Sequence, residues 1–508
     1  MNRLRQVLVT LLAGSSILAA PPTGQAPPTH RVLDLNTLID GNNLACFLLN
    51  EGHFAYDVAN LRGRNDGLYY PNDWPADNRT VVYGAGLWLA GITTSGDTLV
   101  TVAEYSSEFR PGALGSDPES EAWRVYSVTQ DSSTWSEWPL DQGAPLAADG
   151  ERPWIADRPE LTQMHFAVFN DGDASQHGNV AGSTSPLGME ARVTGWCSAE
   201  PGDEREFWLR WELLNLGGRD FTRFWAAVWV DPDLGGAADD LAGCDPQRAL
   251  AYCYNATDSD MSYGATPPAV GLVLAAGLHE PAPGDSAWYG NAWHVGERNL
   301  PPASISAFRN GQDPVSFRQS LCYMMGLTRT GEPRPGGPFD FSGDPVTGEG
   351  ELDTVPGDKR LMLACGPVTL VPGQSQELSV AIAVGQGGDR LASITDLRQI
   401  APWPYEANTG VAEPWGPPRP RALTITGVQP NPFNPTTTVS FRLARPASHL
   451  RWRLYDLLGQ VVREDELGAQ AAGEHRWVLR GEELSSGLYL LSLEGDGVRE
   501  TTRVLLLK

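Results

Sequence analysis

The feature that most constrains this chain is the repeated alternation of bulky apolar residues over short runs. "TVVYGAGLWLAGI" (80–92), "EFWLRWELLNL" (206–216), "RFWAAVWVD" (223–231) and "SQELSVAIAVGQG" (375–387) are aromatic and β-branched runs with a period of two. Side chains two apart share a face of a strand, so such runs predict strands with at least one buried face. Long stretches with a helical period are nearly absent, and "DRLASITDLRQIA" (389–401) is the best short helix. With 55 Gly and 40 Pro the chain has the turn formers that many short strands require. The expected class is all-β: a large, sandwich-rich body.

At 508 residues the chain is too long for one ordinary core. Residues 1–26 read as a signal peptide: Arg3 and Arg5 precede an apolar segment from Val7 to Ala20 that is short for a bilayer span. Residues 31–400 then form the β-rich body, as one or two subdomains, and six prolines within 401–421 make a semi-rigid linker. Residues 422–508 form a separate module of about seven strands with immunoglobulin-like spacing. That module holds ten acids and ten bases, whereas the whole chain carries a formal charge of −25. The acidity therefore lies upstream, and repulsion from phosphates excludes nucleic acid and anionic membrane as partners. No later segment is long and apolar enough for a transmembrane helix, so a secreted or outer-surface location is expected.

The densest acidic segment is "DPDLGGAADDLAGCD", with Asp231, Asp233, Asp239, Asp240 and Asp245 just after an aromatic run. Calcium takes six to eight hard oxygens from flexible loops, and Asp-x-Asp-x-Gly begins such a loop. The alternative is a solvated turn, since Asp is also a good turn former. "NATDSD" downstream adds Asn255, Asp258 and Asp260 if the loop doubles back. A second acidic stretch, "GDPVTGEGELDTVPGDKR" (343–360), has more dispersed charges and reads as a solvated loop.

Among 17 Trp, those in strand patterns (Trp88, Trp208, Trp225, Trp229) are expected in the core. Tyr69, Tyr70 and Trp74, in the polar segment "GLYYPNDWPADN", are candidates for stacking on a sugar ring. Of six scattered cysteines, Cys244 and Cys253 are the pair close enough in sequence to close a small disulfide loop. The chain lacks a GxSxG elbow, an HExxH pair, a phosphate loop and a dinucleotide fingerprint. His165 and His177, the nearest histidines, read as ordinary surface or core residues. A glycosidase-type carboxylate pair can hide among so many acids, so a secreted polysaccharide-acting hydrolase or carbohydrate-binding protein stands as the alternative to a non-enzymatic structural or binding protein.

The tail carries ordered landmarks: Asn431-Pro432-Phe433-Asn434-Pro435, Tyr455-Asp456 with Gly459, Gly487 with Tyr489, and a last strand running to Lys508. In that order they resemble the type A C-terminal sorting domain of the type IX secretion system, also called FlgD-type immunoglobulin-like. The resemblance implies export by the signal peptide and recognition of the tail by outer-membrane secretion machinery. It also implies surface attachment or release. Surface polysaccharide is a further candidate partner only through the aromatic residues Tyr69, Tyr70 and Trp74. Upstream, "AEYSSEFRPG", "WVDPDLGGAADDLAGCD", "YGATPPAVG" and "AIAVGQGGDRL" resemble uncharacterised secreted proteins that carry the same tail. That resemblance assigns no reaction to the body.

Overall fold

The computed structural model describes residues 38–58, 60, 65–72, 79–402, 404, 423–443, 446–455, 461–482, 484–495 and 498–508. The architecture is all-β, as the alternating runs require. Residues 1–26, expected as a signal peptide, most of 401–421, expected as a linker, and Trp74, Asp456 and Gly459 lie outside the described residues. Among the described residues, no helix is long and apolar enough to cross a membrane.

Two large sheets build the body. One has nine strands, in which Ser375–Gly385 lies between Ala269–Ala276 and Glu206–Asn215, and Asp240–Asp245 forms one edge beside Leu250–Asn255. The other has six, centred on Phe221–Asp231 between Gly84–Thr93 and Lys359–Leu370. All these pairings are antiparallel. Leu209, Trp211, Leu213 and Ile382 of the first sheet share one core with Leu87, Leu89, Val228 and Leu363 of the second. The period of two thus sends one side of each strand into a common interior.

Their outer faces are covered too, which explains the tryptophan load. Trp88, Trp225 and Trp229 pack with Tyr323 and Met324 of the helix Phe317–Met324, which the sequence pattern did not reveal. Trp196 and Trp208 stack at 5.8 Å within a second outer cluster that includes Trp154 and Trp288. The expected helix forms as Arg390–Ile400, capped by Asp389 and burying Ile394 and Leu397 against Tyr252 and Tyr254. The strand tryptophans are core residues, as expected.

The C-terminal segment folds into seven strands, in sheets of three and four. Phe433, Val439, Phe441, Trp452, Leu491 and Val504 are among the residues of its own core.

Both Cys244 and Cys253 are free thiols, so the one pairing that their sequence spacing allowed does not form. Across the paired strands Cys244 faces Ala251 and Cys253 faces Ala242, which sets the two cysteines diagonally rather than directly opposite.

Candidate functional site

Antiparallel pairing of Phe221–Asp231 with Lys359–Leu370 matches Val230 to Leu361, so the end of one strand meets the beginning of the other. The acidic segments at 231–245 and 343–360, about a hundred residues apart, are joined by that register. One oxygen each from Asp231, Asp233 and Asp358 lie within 4.8 Å of one another. The 343–360 stretch is therefore no simple solvated loop: Asp358 and Arg360 enter this cluster, and Lys359 pairs with Asp353 at 2.6 Å, both almost fully buried.

Arg360 dominates the electrostatics. One of its guanidinium nitrogens donates to both Asp231 Oδ1 and Asp358 Oδ1. Asp231 Oδ2 accepts from the Tyr105 hydroxyl at 2.5 Å, and Asp358 Oδ2 accepts from Asn310 Nδ2 at 2.8 Å. Burial pushes the Asp231 carboxyl well above the ordinary carboxylate range, against the pull of Arg360. Asp233 is pushed up to about 7, first by burial and then by the Asp358 carboxylate. Between Asp231 and Asp358, the positive charge that the sequence asked of calcium comes from Arg360.

The other candidate ligands separate. Asp240 is fully buried at the start of its strand, and its Oδ2 accepts from Leu234 N at 3.3 Å. Asp239 Oδ2 accepts from Asn255 Nδ2 at 3.2 Å. Asp245 belongs to none of this. It sits at the opposite end of Asp240–Asp245, a length of about 17 Å at the usual strand rise, and pairs with Arg248 at 2.9 Å. The expected loop is half strand, so its acids cannot all converge. Asp260 Oδ1 accepts from Ser262 N and Tyr263 N, and Asp258 accepts from Arg390 N at 3.3 Å.

Tyr69 and Tyr70 are buried, at 1% and 8% exposure, so they cannot stack on a sugar. The Tyr69 hydroxyl donates to the Asp66 carbonyl, which fixes the ring in the core. A different trio stands beside the acidic cluster. Tyr56, Tyr83 and Tyr105 have ring centroids 6.0–6.1 Å apart, and Tyr105, 40% exposed, meets Trp229 edge-on at 5.2 Å. Three separate segments contribute these rings, and only the tertiary structure brings them together. Tyr105 in "EYSSE" carried the one local signal, an aromatic in a polar turn.

His165 is buried neutral, its pKa lowered to about 3 by burial, with Nε2 beside Ser127 Oγ at 2.9 Å. His177 Nε2 lies 2.9 Å from the Asp171 carbonyl oxygen. Both are structural. A cleft of about 850 Å³ is lined in part by Thr93, Asp97, Ser183, Asp220 and Arg318, and none of the acidic-cluster residues lines it.

In the tail, the PNPFNP segment clasps the last strand. Phe433 N donates to Leu505 O at 2.9 Å, Leu507 N donates to Phe433 O at 3.0 Å, and Asn431 Oδ1 accepts from Leu505 N at 2.8 Å. Prolines fit here because they have no N–H to satisfy and stiffen the approach. Residues 428–497 match the FlgD Ig-like domain. Within this Ig-like domain and its flanks the landmark residues have structural duties. The Phe433 ring fills the core at 1% exposure, Gly487 opens the strand Gly487–Gly495, and the Tyr489 hydroxyl donates to Ser485 O at 2.8 Å. The Tyr455 hydroxyl lies 3.5 Å from Glu494 Oε1, and Lys508 N donates to Ser486 Oγ at 2.9 Å. Pro432, Asn434 and Pro435 complete the turn between strands Leu423–Gln429 and Thr436–Leu443.

A solved structure described as a polysaccharide lyase is similar to 86% of this chain and 41% of its own, at 9% identity and a TM-score of 0.25. The chain thus spans less than half the length of that neighbour. No curated protein matches this sequence.

Proposed function

We propose that this chain is an exported, non-enzymatic structural or binding protein of the cell surface or extracellular space, delivered by residues 422–508 acting as a type IX C-terminal sorting domain. The observation that carries this reading is the FlgD Ig-like match over 428–497, with Asn431 and Phe433 locking the last strand into a module that has its own core. The machinery that reads such a tail in the outer membrane is the partner this reading requires. Deleting residues 422–508 in the native host should leave the body in the periplasm. Unchanged surface delivery of the deletion variant would refute the sorting role.

A second reading, carbohydrate contact by the body, rests on the Tyr56–Tyr83–Tyr105 platform beside charged groups. Exposed aromatic faces pack on apolar sugar faces, while carboxylates and arginine engage hydroxyls. Polysaccharide binding by the full chain, weakened at least tenfold in Tyr83→Ala, is the expected result. Equal binding by both proteins would remove the platform from consideration.

A further inference from the structure

Asp240 and Asn255 face one another directly across the strand pair Asp240–Asp245 and Leu250–Asn255. Opposed residues of an antiparallel pair share a face, with Cβ atoms about 4.5–5.5 Å apart. The period of two puts them on the same face as Ala242, Cys244, Ala251 and Cys253, which is the face that enters the sandwich core. A carboxylate and an amide thus stand in a row otherwise made of core residues.

Both side chains have 0% exposure, and the Oδ1 atom of each meets no hydrogen-bond donor. Their other polar atoms are engaged: Asp240 Oδ2 by Leu234 N, and Asn255 Nδ2 by Asp239 Oδ2. A third buried acceptor without a donor, Asp233 Oδ1, belongs to the neighbouring carboxylate that acts most strongly on Asp240, ahead of Asp239 and Asp260. Lys359, the ammonium on this side of the fold, is already held by Asp353 Oδ2 and the Val355 carbonyl, each at 2.6 Å. Buried acceptors without donors are rare in folded proteins, because each has surrendered its water without replacement.

We propose that a calcium ion binds at this rim of the sandwich, with Asp240 Oδ1 and Asn255 Oδ1 as ligands and the Asp233 and Asp239 carboxylates beside them. The donors are all oxygen, and they mix carboxylate with amide. Calcium accepts such irregular sets of six to eight oxygens, whereas magnesium demands a tighter octahedron and zinc prefers nitrogen and sulfur. Asp245, the fifth acid of the segment, is excluded by its distance and its pairing with Arg248. The rival arrangement is a protonated Asp240 that donates its O–H to Asn255 Oδ1.

The test uses the full chain stripped with chelator, then measured by thermal unfolding and by direct calcium binding. Calcium should raise the melting temperature by several degrees, with a dissociation constant of roughly 0.1–1 mM, within the weak extracellular range. Asp240→Asn and Asn255→Ala should weaken binding at least tenfold, and Asp245→Asn should leave it unchanged. Absence of calcium binding at 5 mM in the unmutated protein overturns the proposal without reference to any variant. Undiminished binding in Asp240→Asn overturns it equally. Under the rival, Asp240→Asn keeps its melting temperature in chelator and calcium has no effect.

Discussion

Arg360 and Asp231 form a buried ion pair across 129 residues of sequence, with side-chain exposures of 6% and 5%. The pair exists because Val230 and Leu361 are register partners, so residues one step further along each strand meet at the sheet's end. Asp358 shares the same guanidinium nitrogen, and Tyr105 closes the other side of Asp231. A single cation thus organises two acidic segments that look independent in sequence.

Removing that cation should be severe. Arg360→Met leaves Asp231 buried beside two other carboxylates, and breaking a buried pair from one side costs about 3–5 kcal/mol. Denaturant unfolding of the full chain should show a loss of that size. A loss below about 1 kcal/mol would mean that Asp231 is carried protonated and needs no partner.

The clasp on the last strand separates into a packing part and a hydrogen-bonding part. Phe433→Ala empties a core position at 1% exposure and should destabilise the C-terminal module by about 3–5 kcal/mol. Asn431→Ala removes the exposed acceptor of Leu505 N and should cost about 1 kcal/mol, less than the Phe433 variant. Limited proteolysis of the full chain, read at cuts within 423–508, should rank the variants in that order.

Glu104 sits next to Tyr105, with its carboxyl pushed up to about 7, first by burial, against a hydrogen bond from Asn179. A folded pKa above the unfolded value means stabilisation that is complete below about 4.5 and is lost as pH rises through about 7. The difference corresponds to about 3 kcal/mol. Glu104→Gln keeps the acceptor for Asn179 and carries no charge. Its melting temperature should therefore exceed that of the unmutated protein at pH 8, and the gap should close towards pH 4.5.

Gly235 has a φ of +72°, and a Cβ there would lie 2.2 Å from Asp260 Oδ1. Gly235→Ala should cost about 1–3 kcal/mol for the left-handed backbone alone, with the clash adding to it. Calorimetry of the full chain checks this, and an unchanged melting temperature would show that the 231–240 segment rearranges freely.

Fold class and its punctuation are legible in short windows of this sequence. Alternation of Trp208 with Leu209, or of Trp229 with Val228 and Val230, is a local property, and it dictates strands whatever lies elsewhere. The capped helix at 390–400 and the strand at 436–443 after the prolines are equally local. Tertiary structure decided everything that depends on register. Asp358 and Arg360 reach Asp231 only through the pairing of Val230 with Leu361, and Asp240 meets Asn255 only through an edge-strand pairing. Asp245 left the acidic group because its segment became a strand, which spreads charges that a loop would gather. Tyr69 and Tyr70 went inside for a similar reason: a polar neighbourhood in sequence does not reveal which sheet will cover it. Strand formation is encoded within a few residues, whereas a site is assembled by long-range pairing that no local window contains.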